Sequence, residues 1–249
     1  MSLIKGFIMS LGMFSVIPVP RNSWNDKYMP IVIPNLPLVG ALIGLIWYGA
    51  AYALSVLSAP LMIQSAALLF IPFIPNGFIH TDGYMDTADA VFSRRDLEEK
   101  KRILKDPHVG AFAVIALVGL FIFQFSAVYT IIEAQKRLLI FVFIPVISRC
   151  VAGAVMLNLK PVFETGYNAV FRTGTKPRHT VFICVLALIC LITAGFMLGF
   201  EMLPLLVEVL VGIMAAIYLY KQFQGISGDL SGCIITVCEL SALLCMAII

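Results

Sequence analysis

Between residues 36 and 249 the chain is a succession of long apolar runs broken only by polar loops. A run of about 20 apolar residues spans the hydrocarbon core of a bilayer when helical. A β-barrel needs short alternating segments, and these runs are continuous. The chain is 61% hydrophobic and 12% charged over 249 residues, a balance that excludes an ordinary soluble domain. The pattern predicts an all-α fold, a polytopic membrane helix bundle forming one integral membrane domain over 1–249.

Seven spans are expected, at about 36–57, 60–78, 109–132, 138–157, 180–200, 202–220 and 233–249. Residues 2–17 are apolar but short, and Pro18 and Pro20 close them, so they read as an interfacial or re-entrant helix. Lys5 and the lack of a small-x-small site argue against a cleaved signal peptide. Gly40 and Gly44 form a G-x-x-x-G for close helix packing, either within the bundle or between two copies in a homo-oligomer. Pro72 and Pro75 break the end of the second span. Residues 96–105 form a charged surface helix in which Asp96 and Lys100 have ideal pairing distance along the chain. The six cysteines (Cys150, Cys184, Cys190, Cys233, Cys238 and Cys245) lie in apolar runs without a C-x-x-C pair and read as small core residues.

The net charge of +3 gives no nucleic-acid footprint, but its distribution gives a topology. With seven spans, fourteen of the seventeen Lys and Arg fall in loops on one side and two, Lys136 and Arg137, on the other. By the positive-inside rule the rich side is the cytoplasm, with the amino terminus inside. The expected setting is the cytoplasmic (inner) membrane, multi-pass.

The cytoplasmic segment 76–110 holds seven of the fourteen acidic residues and two of the three histidines. On a helix, Asp82, Asp86 and Asp89 fall within roughly 60° of one another. Three carboxylates on one face repel, and a divalent cation offsets that; all-oxygen ligands suit Mg²⁺, Mn²⁺ or Ca²⁺. The plainer alternative is a solvated acidic helix start, which accounts for Asp82 but not for the other two.

Other residues carry two readings each. Asp106 is either a fourth metal oxygen or the N-cap of the third span. Lys105 holds a phosphate as a point charge or is a membrane-surface lysine. His80 is a general base, a phosphate donor, a metal ligand or a polar cap; His108 and His179 read as surface residues. Arg149, inside the fourth span, should face the interior and meet a phosphate or a carboxylate, and Glu239 in the seventh should also face inward. Asp229, in the small-residue loop 224–232, either belongs to a phosphate cradle or starts a helix, with Asp229 or Ser231 as N-cap. Arg172 and Lys176 are phosphate-binding candidates or ordinary loop cations.

The string N-G-F-x-H-x-D-G-x-x-D-x-x-D-A (76–90), followed by K-D-P-x-V-G-A-F (105–112), resembles the cobalamin synthase (adenosylcobinamide-GDP ribazoletransferase) family. The resemblance extends to F-x-x-x-P-V-P (14–20), P-L-V-G-x-x-x-G (37–44), Ser148-Arg149 and G-x-S-G-D-x-x-G (225–232), and so covers essentially the whole chain. It implies transfer of the adenosylcobinamide phosphoryl group from adenosylcobinamide-GDP to α-ribazole or its 5′-phosphate, with GMP leaving, and a requirement for Mg²⁺. Carried onto this sequence, the expectation is Mg²⁺ on Asp82, Asp86, Asp89 and Asp106. Catalysis falls to His80, Asp82 and Asp86, and substrate binding to Asn76, Lys105, Arg149 and Asp229. The chemistry is phosphoryl transfer, which needs positioning and charge neutralisation.

Two other readings compete. A CDP-alcohol phosphotransferase-like lipid enzyme also uses metal-bound aspartates in a membrane, but its D-G-x-x-A-R string is absent here. A cation transporter should place its ionic residues mid-membrane in two pseudo-symmetric halves, whereas these gather at one surface in one half.

Overall fold

The computed structural model describes residues 2–20, 24–164 and 174–249. Arg172 lies outside these residues. Among them the chain forms ten α-helices. In order they are α1 (Ser2–Phe14), α2 (Leu36–Val56), α3 (Leu61–Phe70), α4 (Ile79–Phe92), α5 (Leu97–Ile103), α6 (Ala111–Glu133), α7 (Ile140–Asn158), α8 (Pro177–Leu198), α9 (Leu203–Phe223) and α10 (Gly228–Ile248). Six of these helices run 19 to 23 residues. The all-α, polytopic expectation holds. The second span is helical only over the ten residues of α3, about 15 Å. Turns carry the chain on from Ile71 to Phe78, because Pro72 and Pro75 remove backbone donors there.

Helices α7 and α10 form the centre. Their apolar windows are 72% and 61% buried, against 17% for the Pro177–Phe223 hairpin of α8 and α9. Helix α2 lies on α7, α4 on α10, and α6 against α3, α4 and α10. The glycines of the G-x-x-x-G serve the bundle itself. A Cβ on Gly40 would run into the Pro145 carbonyl, and one on Gly44 into the carbonyls of Phe141 and Val142, so α2 touches the α7 backbone. One turn on, Trp47 stacks on Phe141 at 4.4 Å and donates its indole N–H to the Leu68 carbonyl at 2.9 Å.

Connectors assigned to the same side of the membrane do meet. Arg137 reaches Glu201 (3.6 Å) and the Met197 carbonyl (2.8 Å), joining the two basic-poor turns. On the other side, Ile226 exchanges backbone hydrogen bonds with Lys160 and Val162.

Three local expectations are corrected. Asp96 does not pair with Lys100: it is the N-cap of α5 and accepts from the Glu99 amide, and the ion pairs formed are Glu98–Lys101 and Glu99–Arg102. His179 is buried rather than at the surface, since its Nδ1 accepts the Lys176 amide at the start of α8. Cys184 is exposed on the outer face of the bundle, while Cys150, Cys190, Cys233 and Cys238 are buried as core residues.

Candidate active site

The turn before α4 is built by Asn76. Its side-chain oxygen accepts the Phe78 amide (3.0 Å) and its side-chain nitrogen donates to the Pro72 carbonyl (3.2 Å). Gly77 and Phe78 both take left-handed backbone (φ +62), a conformation Gly77 adopts freely and Phe78 holds at a cost of about 1–2 kcal/mol. The amino-terminal segment braces the turn through the Val16 amide on the Pro75 carbonyl (2.8 Å). Asn76 is thus buried and fully engaged in shaping the entry to α4.

Two glycines then bring helices into backbone contact. A Cβ on Gly83 would lie 2.6 Å from the Asp229 carbonyl oxygen, and one on Gly232 would lie 3.1 Å from His80 backbone atoms. Close approach of α4 and α10 sets Asp229, in the first turn of α10, beside Asp82 and Asp86. The N-cap of α10 is Ser227, not Asp229 or Ser231; its hydroxyl accepts the Leu230 amide and donates to Asp229.

Asp82 is exposed and Asp86 half-buried. Among the described residues neither carboxylate has a hydrogen-bond or ion-pair partner. Burial, then the charges of Asp82, Asp229 and Asp89, push the Asp86 carboxyl up from 3.8 to about 7. Among the described residues no three His, Cys, Asp or Glu side chains close into a ready-made metal cage. An array of carboxylates without a cationic partner still suits Mg²⁺. That ion keeps several waters and binds through one or two carboxylates plus substrate phosphates.

The other two expected ligands are engaged elsewhere. Asp89 accepts the amides of Gly110 (2.5 Å) and Ala113 (3.0 Å), so from α4 it caps the start of α6. Asp106 is exposed, accepts the His108 amide (3.0 Å) and meets the His108 Nδ1 (2.7 Å). It is not among the charges acting on Asp86. Nor does it cap the third span, whose N-cap is Gly110. Lys105 is exposed, with its Nζ 3.7 Å from the Phe163 ring centroid.

Behind α4 lies a buried polar network. Arg149, fully buried, makes an ion pair with Glu239 at 2.6 Å and donates to the Pro145 carbonyl at 3.0 Å. Ser148 also donates to Glu239, at 3.0 Å. The expected inward partner of Arg149 is therefore a carboxylate of this chain. Its other terminal nitrogen lies 3.4 Å from His80 Nδ1, and the Asn76 side-chain nitrogen lies 3.5 Å from the same atom. Two donors on Nδ1 leave it as the acceptor, so the proton of the neutral ring sits on Nε2. Burial and the Arg149 charge hold the imidazole well below its ordinary value. Glu208 in α9 belongs to the same interior and is fully buried. Its signal in the sequence is that which marks Arg149 and Glu239, an ionisable residue inside an apolar run.

A family model described as cobalamin-5-phosphate synthase matches residues 6–247. The chain belongs to the cobalamin-5-phosphate synthase family. An adenosylcobinamide-GDP ribazoletransferase of Clostridium perfringens (strain SM101 / Type A) is 35% identical over 247 residues, covering 98% of each chain. One from Clostridium botulinum (strain Alaska E43 / Type E3) is 36% identical over 97% of this chain and 96% of its own. One from Geobacillus thermodenitrificans (strain NG80-2) is 33% identical over 93% and 90%. No solved structure matches. In this synthase-family chain, of the stretches quoted for the resemblance, 76–90 forms the turn and α4, 105–112 leads into α6, and 225–232 leads into α10.

Proposed function

We propose that this chain transfers the adenosylcobinamide phosphoryl group from adenosylcobinamide-GDP to α-ribazole or its 5′-phosphate and releases GMP, the activity its relatives' names carry. The observation that carries the site is the meeting of Asp82, Asp86 and Asp229 from two helices with, among the described residues, no cationic side chain paired to them. Asp82 and Asp86 would hold Mg²⁺, which neutralises charge on the diphosphate when bound.

Asp229 faces that pair from α10, steadied by the Ser227 hydroxyl, and takes the proton from the attacking ribazole hydroxyl. His80 presents Nε2–H as a neutral donor toward the phosphoryl oxygens, its ring fixed by Asn76 and Arg149. With Nδ1 committed as an acceptor, His80 serves as donor rather than base. Lys105, exposed over the Phe163 ring, is the candidate point charge for the leaving phosphate. Arg149 acts through His80, and Asp89 holds α4 to α6. The fourteen-to-two division of basic residues supports a site open to the cytoplasm, as expected for a multi-pass protein of the cytoplasmic (inner) membrane.

The test is turnover by detergent-purified protein with adenosylcobinamide-GDP, α-ribazole and Mg²⁺, following GMP release and cobalamin formation. Asp82→Asn should lose both products. CMP release from a CDP-activated alcohol, with no cobalamin formed, would overturn the reading.

A further inference from the structure

Glu208 is fully buried, and neither of its carboxyl oxygens has a well-formed hydrogen bond among the described residues, although the Ser148 backbone N–H is directed toward them. It lies on α9 where that helix meets α7 and α10. The Cys238 thiol donates to the Glu208 backbone carbonyl at 3.6 Å, and the carboxyl lies within reach of the charges of the Arg149–Glu239 pair. The charged groups facing it are Glu239 from α10 and Arg149 from α7. The thiols of Cys150, Cys190 and Cys238 complete its surroundings. At the ends of α9, Glu201 is tied to Arg137, and Lys100 of α5 to Gln222.

The charges do not balance if both acids are ionised. Arginine keeps its proton in proteins, and the one guanidinium is taken by Glu239, with Ser148 adding a hydrogen bond to the same oxygen. A second carboxylate would be a buried anion with no cation of its own, offered only the Ser148 backbone N–H. Groups in that situation neutralise themselves rather than bear the desolvation penalty.

We propose that Glu208 is a proton-binding site in the bundle interior, held as a neutral carboxylic acid beside the Arg149–Glu239 ion pair. The bound proton keeps the three-residue set electroneutral. It leaves Arg149 committed to Glu239 and His80 instead of divided between two carboxylates. Glu208 is a positioning residue acting through Arg149, and its protonation holds whichever reaction the aspartates run.

Infrared difference spectra of the purified protein in lipid nanodiscs test this directly. They should be taken at mildly alkaline pH, where Asp86, which titrates at about 7, is ionised. Wild type minus Glu208→Gln should show the C=O stretch of a protonated carboxylic acid. In Glu239→Gln that band should vanish, because Glu208 then ionises to pair with Arg149; this second variant decides the matter if the first fails to fold. A carboxylate band in place of the acid band would overturn the proposal. So would a melting temperature raised by Na⁺ in wild type but not in Glu208→Gln, which would mark an alkali-cation site. Neither readout uses the transfer reaction, so failure here and failure of the proposed activity are distinguishable.

Discussion

Asp89 accepts the backbone amide of Gly110 at 2.5 Å, from a position on α4 where its neighbours Asp82 and Asp86 have no partner among the described residues. Gly110 allows this approach, since a Cβ there would run into the Asp89 carboxyl group. Three aspartates at helical spacing thus divide the work: one fastens α4 to the start of α6, and two meet Asp229 of α10.

This division predicts that Asp89→Ala destabilises the protein by about 1 kcal/mol, up to about 2, as loss of a helix cap does. Mg²⁺ affinity should change little, and Asp89→Asn should be milder because its side-chain oxygen still accepts. Thermal unfolding with and without Mg²⁺ checks it. A normal melting temperature with Mg²⁺ binding abolished would show that Asp89 is a ligand instead.

The Asp86 carboxyl predicts a pH dependence. Its folded value, about 7, lies above its ordinary 3.8, so the folded state binds this proton more tightly than the unfolded state. The associated stability is fully present below 3.8 and is lost as pH rises through about 7. The melting temperature of the metal-free protein should therefore fall across that window, and Asp86→Asn should flatten the fall. Mg²⁺ affinity should rise with pH up to about 7 and level off above it, since the ligand must lose its proton first. A Mg²⁺ affinity independent of pH would contradict this.

The interior pair should respond asymmetrically. Arg149→Met leaves the Glu239 carboxylate buried without its cation and should cost about 3–5 kcal/mol. Glu239→Gln should cost less, because Glu208 is at hand to pair with Arg149. Denaturant unfolding of the two variants in one detergent gives the comparison, and equal losses would count against Glu208 as the reserve partner.

Gly83→Ala forces a methyl group against the Asp229 backbone. Overpacking of this kind costs about 1–3 kcal/mol. The larger effect should be on turnover, since a shift of about 1 Å between Asp229 and the Asp82–Asp86 pair is enough for a loss on the order of 10²-fold. Parallel melting and turnover measurements separate the two, and unchanged turnover would remove Asp229 from the site.

Much of this was legible in the sequence because it rests on local pattern. Apolar run length marked the helices, and the 82/86/89 spacing placed three carboxylates on one face. An arginine within an apolar run announced an interior ion partner. What the sequence does not carry is which distant group reaches a given side chain. Asp89 meets Gly110 and Ala113 across 21 and 24 residues of chain, and Arg149 meets Glu239 across 90. The approach of Asp229 to Asp86 depends on Gly83 and Gly232 lying against the opposite helix, which no helical period encodes. Nor does any local pattern distinguish Asp106, turned back onto His108, from an aspartate aimed into the site.

The proposed Mg²⁺-dependent transfer site consists of Asp82 and Asp86, met by Asp229. Its most direct test is a Mg²⁺ titration of GMP release from adenosylcobinamide-GDP in the presence of α-ribazole, run on wild type and Asp86→Asn side by side. Wild type should show saturable, Mg²⁺-dependent release, and the variant none at matched folded protein. Equal release with the same Mg²⁺ requirement in both would contradict it.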